Sequence, residues 1–137
     1  MKIVNEKPPM LERIFGAGMK PDTGRVVFTY GDTIYNPSGK DVPSYLIAHE
    51  SVHAIQQGDD PEGWWERYLH DAYFRLEQEA EAYAAQFAFI CDSVKDRNRR
   101  NLVLIDIASS LSGPTYGSMI GHTAASRMIK ERSKVKP

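Results

Sequence analysis

The pentapeptide HESVH at residues 49–53 places the strongest constraint on how this chain can fold. In a helix, residues four apart lie one turn apart on the same face, so His49 and His53 would point in the same direction. Apolar residues surround the pentapeptide, which indicates that its helix is largely buried. Buried imidazoles and carboxylates need partners. The segment therefore predicts a buried helix whose polar side chains have a common partner.

The expected limits of this helix come from residues that commonly begin and end helices. Asp41 is the expected N-cap, and Pro43 fits the first turn. Gly58 is suited to the C-terminal end, where a left-handed residue often stops a helix. We therefore expect a helix that runs through the whole pentapeptide and stops at Gly58.

The segment before this helix has the composition of short strands. We expect strands at residues 2–4, 25–30 and 33–36, and a short helix within residues 8–18. The last two strands would be joined by a turn at Gly31-Asp32. The strand at 33–36 stops at a proline, so we expect it to lie at the edge of a small sheet.

The segment after the pentapeptide has the 3.6-residue periodicity of helices. Residues 59–71 are expected to form a loop or a broken helix whose Trp64 and Trp65 belong to the core or to a pocket wall. Further helices are expected at residues 71–95, 101–111 and 122–132. The order predicts an α+β class in one domain over residues 1–137, with a small N-terminal sheet followed by a mainly helical part.

Composition argues against several classes of partner. The formal net charge is −1, which gives no general attraction to nucleic acid or to an anionic membrane. The chain has one cysteine, Cys91, so an internal disulfide is excluded. No segment has the length and hydropathy of a signal peptide or of a transmembrane helix. We therefore expect a cytoplasmic protein that has neither nucleic acid nor membrane as a partner.

The pentapeptide matches the pattern H-E-x-x-H, which is typical of zinc sites. Two imidazoles one turn apart can each place a nitrogen about 2 Å from one ion. Glu50 is rotated by about 100° from His49 and would flank the metal instead of binding it. From there it can act as a general base toward a water molecule that the metal activates. Imidazole and carboxylate ligands also accept cobalt, nickel or copper.

A catalytic zinc site usually has three protein ligands, so a third must be found. The extended pattern H-E-x-x-H-x-x-G-x-x-H would have glycine at position 56 and a ligand at position 59. This chain has Gln56 and only later Gly58, so its helix is expected to continue too far for Asp59 to reach the metal. Two further alternatives in this part of the chain are His70 and Asp71.

The helix at residues 71–95 offers three more candidate ligands, Glu77, Glu79 and Glu81. Its apolar stripe consists of Leu76, Ala80, Tyr83, Ala84 and Phe87. Glu79 lies on the inner edge of this stripe, whereas Glu77 lies on its outer flank, one turn before Glu81. A glutamate from a second helix would complete a His₂Glu set, and the periodicity favours Glu79 for that role.

The two motifs together resemble the gluzincin class of zinc metallopeptidases. HESVH is followed 26 residues later by EAEAYA at 79–84, and Glu77, Glu79, Ala80, Tyr83 and Ala84 match the pattern E-x-E-A-x-x-Phe/Tyr-A of the second helix. The resemblance covers about residues 25–90 and is strongest to small single-domain members (minigluzincin-like), including phage-encoded ones. It implies one zinc ion per chain, Glu79 as third ligand, and a peptide or protein as substrate.

The resemblance also implies where a substrate would bind. The segment TIYNP at residues 33–37 corresponds to the family's edge strand, so Ile34, Tyr35 and Asn36 are expected to bind a peptide by strand addition. The C-terminal third has no counterpart in the family pattern. Within it, Tyr116 and His122 are outside candidates for donating a hydrogen bond to an oxyanion, although a plain helix connection also explains them.

Two other functions fit the same residues. The first is a non-catalytic or regulatory zinc-binding module, in which a fourth protein ligand such as His70 would close the site. A metal position open to solvent beside residues 33–36 would instead favour the enzyme. The second and weaker alternative is hydrolysis of a cell-wall peptide amide.

Overall fold

The fold class agrees with the sequence prediction. The computed structural model describes residues 1–136 and contains a small N-terminal sheet followed by a mostly helical part, so the α+β class is confirmed. The chain forms two compact units, Met1–Asp71 and Ala72–Pro137, which are described separately below. The assignment of residues 1–137 to one domain stays a prediction.

The sheet of the first unit has three short strands: β1 (Lys2–Val4), β2 (Phe28–Tyr30) and β3 (Thr33–Tyr35). The order is β1-β3-β2, with β3 parallel to β1 and antiparallel to β2. A two-residue turn joins β2 to β3, and its first residue, Gly31, has a φ of 63° that glycine adopts without strain.

The prediction that the strand at residues 33–36 lies at the sheet edge is wrong. This strand, β3, is the central one and is paired on both sides. Its second neighbour, β1, begins about 30 residues earlier in the chain, at Lys2, which pairs with Thr33. Pairing over such a separation depends on tertiary packing and has no local sequence signal.

Three helices complete the first unit: α1 (Leu11–Gly16), α2 (Ser44–Gln57) and α3 (Pro61–His70). The N-cap of α2 is Pro43 and not Asp41 as expected, while the helix stops before Gly58 as predicted. Helix α2 packs against β2 and contacts α3, so its buried face lies against both elements.

The segment expected to be a loop or a broken helix is the regular helix α3. Its N-cap is Asp60, whose side chain accepts a hydrogen bond from the backbone N–H of Gly63 at 2.9 Å. Pro61 at the first helical position already has a suitable φ and lacks an N–H that would otherwise need a partner. These two start signals outweigh the low helix propensity of Gly63.

The second unit consists of α4 (Ala72–Ser93), α5 (Arg97–Leu111), a 3₁₀ turn (Pro114–Tyr116) and α6 (His122–Ser133). The three helices pack against one another around an apolar core. The start of α5 is four residues earlier than expected at residue 101, because Asp96 caps it. Within residues 1–136, none of the helices combines the length and the apolar character that crossing a membrane requires.

Candidate metal site

Helix α2 has a polar buried face. His49, Glu50, His53 and Gln57 are all buried and recur at the three- and four-residue spacing of one helix face. In contrast, Ile55 on the opposite side is 79% exposed. The helix through the pentapeptide is therefore confirmed, but it is buried only on the face that carries these polar side chains, and none of its apolar residues is fully buried.

The pentapeptide side chains form a close group. The possible ligand atoms of His49, Glu50 and His53 all lie within 4.8 Å of one another. The two imidazole rings are 4.9 Å apart between centroids and nearly perpendicular. Nε2 of His49 lies 3.7 Å from Oε2 of Glu50. Two imidazoles and a carboxylate are donors that suit a divalent transition metal, so the group can hold a metal ion.

Strand β2 supports Glu50 from the side of the sheet. Thr29 is almost fully buried, and its hydroxyl donates a hydrogen bond to Oε1 of Glu50 at 2.9 Å. The same hydroxyl lies 3.4 Å from the backbone carbonyl of Glu50. Because Oε1 is engaged by Thr29, Oε2 is the carboxylate oxygen that lies on the side of His49.

The backbone carbonyl of Thr29 is hydrogen-bonded to side chains of both α2 and α3. This carbonyl accepts hydrogen bonds from Nε2 of Gln57 at 2.8 Å and from Nε1 of Trp65 at 2.9 Å. The carboxamide oxygen of Gln57 also accepts from the N–H of Gly31 at 2.7 Å. These contacts hold β2 against α2 at the level of the polar group.

Aromatic rings of α3 close another side of the site. The ring of Trp64 lies 5.3 Å from that of His53, and Tyr68 stacks on Trp64 at 4.9 Å. Trp64 and Trp65 are both buried, in agreement with their predicted place in the core or a pocket wall. These rings therefore form part of the surroundings of His53.

The residues predicted to bind substrate lie in a fully paired strand. Both edges of β3 are occupied, and Ile34 is completely buried. The side-chain amide of Asn36 donates to the carbonyl of Lys40 at 2.7 Å, and its backbone N–H donates to the carbonyl of Val4 at 2.8 Å. Strand addition needs a free edge, and β3 has none in this sheet. Substrate binding by Ile34, Tyr35 and Asn36 stays a prediction.

The alternative ligands of the first unit lie outside the close group. Asp59 is exposed. His70 is also exposed, and its Nε2 lies 3.4 Å from a carboxylate oxygen of Glu66. Asp71 lies with its carboxylate 3.7 Å from Nε of Arg67. None of the three is gathered with the two pentapeptide histidines.

In the second unit, burial separates the three candidate glutamates of α4. Glu79 is only 5% exposed, whereas Glu81 is exposed. Glu77 is partly exposed and accepts a hydrogen bond from Arg132 at 2.8 Å. This order agrees with the ranking from helical periodicity, although Glu79 as a metal ligand stays a prediction.

The two outside candidates for an oxyanion donor have hydrogen-bond partners within the second unit. The hydroxyl of Tyr116 lies 3.0 Å from that of Tyr83. His122 is exposed, and its Nε2 lies 3.2 Å from the backbone carbonyl of Ile105. Their part in catalysis stays a prediction.

The sequence analysis did not identify Thr29, Gln57 or the part played by Gln56. The partners of Thr29 lie 21 to 36 residues away along the chain, in two different helices. Gln56 could have been found, since residues three apart on a helix are neighbours and it follows His53 at that spacing.

Comparison with known proteins gives no match: no family model, curated protein or solved structure is significantly similar to this chain. The likeness to gluzincins thus rests on the two sequence motifs. For the first of them, the structure adds a buried and mutually close His-Glu-His group on one helix, compatible with a zinc site.

Proposed function

We propose that this protein is a small zinc-dependent peptidase of the gluzincin type, with Glu50 as general base. His49 and His53 bind the metal, and Glu79 is the proposed third ligand. The observation that carries the proposal is the buried convergence of two imidazoles and a carboxylate on α2. A helix rarely buries three ionisable groups together unless they serve a site.

The donor set fits zinc, which prefers histidine nitrogen and carboxylate oxygen in catalytic sites. When bound, zinc would activate a water molecule and polarise the carbonyl of a peptide bond. Glu50 would accept the proton from that water at Oε2, the oxygen on the side of His49. The same oxygen would later give the proton to the leaving amine.

The surroundings of Glu50 suit this role. Glu50 is 6% exposed, and its Oε1 accepts a hydrogen bond from the Thr29 hydroxyl while Oε2 lies on the side of His49. A general base must lie within hydrogen-bond reach of the proton it takes, and a side chain held in one orientation meets this condition more often.

The proposal is tested by metal content and by one substitution. The purified full-length protein should contain about one zinc ion per chain. Glu50→Gln should keep the metal and abolish hydrolysis of a mixture of quenched fluorescent peptides, because the amide cannot accept the proton. Glu62→Gln, which changes an exposed glutamate of α3, is the matched control and should hydrolyse at the wild-type rate. Hydrolysis that survives Glu50→Gln would overturn the mechanism.

A second candidate function is a metal-binding module without catalysis. It is favoured by the pairing of both edges of β3, which removes the expected strand platform for a peptide. The exposed pair of His70 with Glu66 argues against His70 as a closing ligand in this state. Stoichiometric zinc with no hydrolysis of any peptide by the wild-type protein would favour this candidate.

A further inference from the structure

Gln56 contacts the second histidine of the pentapeptide. Its carboxamide oxygen lies 2.8 Å from Nδ1 of His53, one helical turn before it. A carboxamide oxygen can only accept a hydrogen bond, so Nδ1 must carry the hydrogen. In a neutral imidazole with its proton on Nδ1, the lone pair that can bind a metal is on Nε2.

We propose that Gln56 is a positioning residue that selects the tautomer of His53 and presents Nε2 to the metal. This inference rests on the proposed metal site. Histidines that bind metals usually donate their other ring N–H to an acceptor, which fixes the ring and raises its basicity. Here the acceptor is a neutral amide from the same helix, supplied by the residue three positions after the ligand.

The length of α2 makes this contact possible. The helix continues to Gln57 before Gly58 ends it, so Gln56 keeps helical spacing from His53. The extended motif considered above has glycine at position 56, which has no side chain to act as acceptor. Because the helix ends later than in that motif, position 56 is still helical, and its side chain can accept a hydrogen bond from His53.

The neighbouring residue Gln57 shows that the contact is specific to position 56. Gln57 turns toward the sheet, where it bonds to the backbone of Thr29 and Gly31. The two adjacent glutamines thus have separate partners: one holds a strand, and the other holds an imidazole. The ring of Trp64 also lies 5.3 Å from that imidazole.

Zinc affinity provides the main test. Gln56→Ala in the full-length protein should weaken zinc binding by about 10- to 100-fold, measured by competition with a chromophoric chelator. Gln56→Glu keeps an acceptor and should bind zinc at least as tightly as the wild type. Ile55→Ala, the same truncation at an exposed position of the same helix, should leave the affinity unchanged.

The tautomer can be observed without metal. In metal-free protein labelled with ¹⁵N-histidine, His53 should show a protonated Nδ1 and an unprotonated Nε2 near neutral pH. Gln56→Ala should give a mixture of both tautomers, whereas Gln57→Ala should keep the wild-type tautomer even if it lowers stability. A purely structural role for Gln56 would not change this spectrum.

The outcomes distinguish this inference from the proposed function. If the wild type binds zinc and Gln56→Ala binds it equally well, the positioning role is overturned and the peptidase proposal is unaffected. If the wild type binds zinc, Gln56→Ala binds it more weakly and neither hydrolyses a peptide, the positioning role stands and the peptidase proposal fails. If the wild type binds no zinc, both are overturned.

Discussion

The two units of this protein differ in how many polar side chains their interiors contain. Among the described residues, the buried polar side chains of the first unit are Thr29, Asn36, His49, Glu50, His53 and Gln57. The second unit buries Glu79 and Gln86, but its core is an apolar cluster contributed by α4, α5 and α6. The first unit also buries apolar and aromatic side chains, so its interior combines packing with many specific polar partners, whereas the second depends mainly on packing.

This difference shows what each kind of interior requires. The stabilisation from apolar packing is roughly proportional to the apolar area buried, so many combinations of side chains can provide it. Buried polar groups must each be paired, since leaving one unpaired costs about 1–3 kcal/mol. Thr29 illustrates the second case, because its hydroxyl and its carbonyl both have partners in α2. A polar interior therefore depends on individual contacts, as a functional site does.

The largest expected effect on stability is a cavity in the second unit. Leu111 is completely buried in the apolar cluster, so Leu111→Ala should lower the free energy of unfolding by about 2–5 kcal/mol. The measurement is alkylation of Cys91 as a function of urea. Burial raises the pKa of the Cys91 thiol and shields it, so its alkylation reports opening of the second unit.

The matched control is Leu102→Ala on the same helix. Leu102 is 66% exposed, so its truncation should change the free energy of unfolding by no more than about 0.5 kcal/mol. Equal effects of the two truncations would contradict an interior held by packing.

A smaller effect is expected from one hydroxyl of the first unit. Thr29→Val keeps the side-chain shape and removes the hydrogen bond to Glu50, which should cost about 1–3 kcal/mol because a buried carboxyl oxygen loses its donor. The fluorescence of Trp64 and Trp65 reports this unit, as both tryptophans of the chain belong to α3.

Two controls accompany that substitution. Thr29→Ser restores the donor and should recover most of the stability. Thr33→Val removes a hydroxyl that bonds only to the exposed Asp32 carboxylate, and it should have little effect. If Thr29→Val shifts alkylation of Cys91 as much as tryptophan fluorescence, the two units unfold together and their stabilities cannot be assigned separately.

The smallest effect is expected at an exposed polar contact of the first unit. The hydrogen bond from Tyr30, with help from Arg13, holds the pKa of Glu62 below its ordinary value. A carboxyl whose pKa is lowered by folding stabilises the folded state at pH values above its ordinary pKa. This stabilisation is lost as the pH falls through the pKa of the folded state. Tyr30→Phe should therefore raise the pKa of Glu62, measured by NMR titration, and weaken this acid dependence.

The effect of Tyr30→Phe on the melting temperature at neutral pH should be close to the limit of detection, since exposed pairs are screened by solvent. Tyr45→Phe, at another partly exposed tyrosine of the same unit, should leave the pKa of Glu62 unchanged. A large loss of stability from Tyr30→Phe would show that burial is not what makes the polar contacts of this unit strong.

Sequence reasoning succeeded where the signal is local. Helical spacing predicted that His49 and His53 share a buried face, and Gly58 marked the end of their helix. Periodicity also ranked Glu79 as the most buried of the three candidate glutamates of α4. It failed at Asp41, because the helix begins only at Ser44 and Pro43 occupies the N-cap position.

What the sequence by itself determined is the set of ligand types and their spacing on one helix, since four residues make one turn in any fold. Only the tertiary structure decided that β3 is central, that Thr29 holds Glu50, and that Gln57 fastens the strand to the helix. These contacts join residues 21 to 31 positions apart. Such pairings depend on how strands and helices pack, and no short stretch of sequence encodes them.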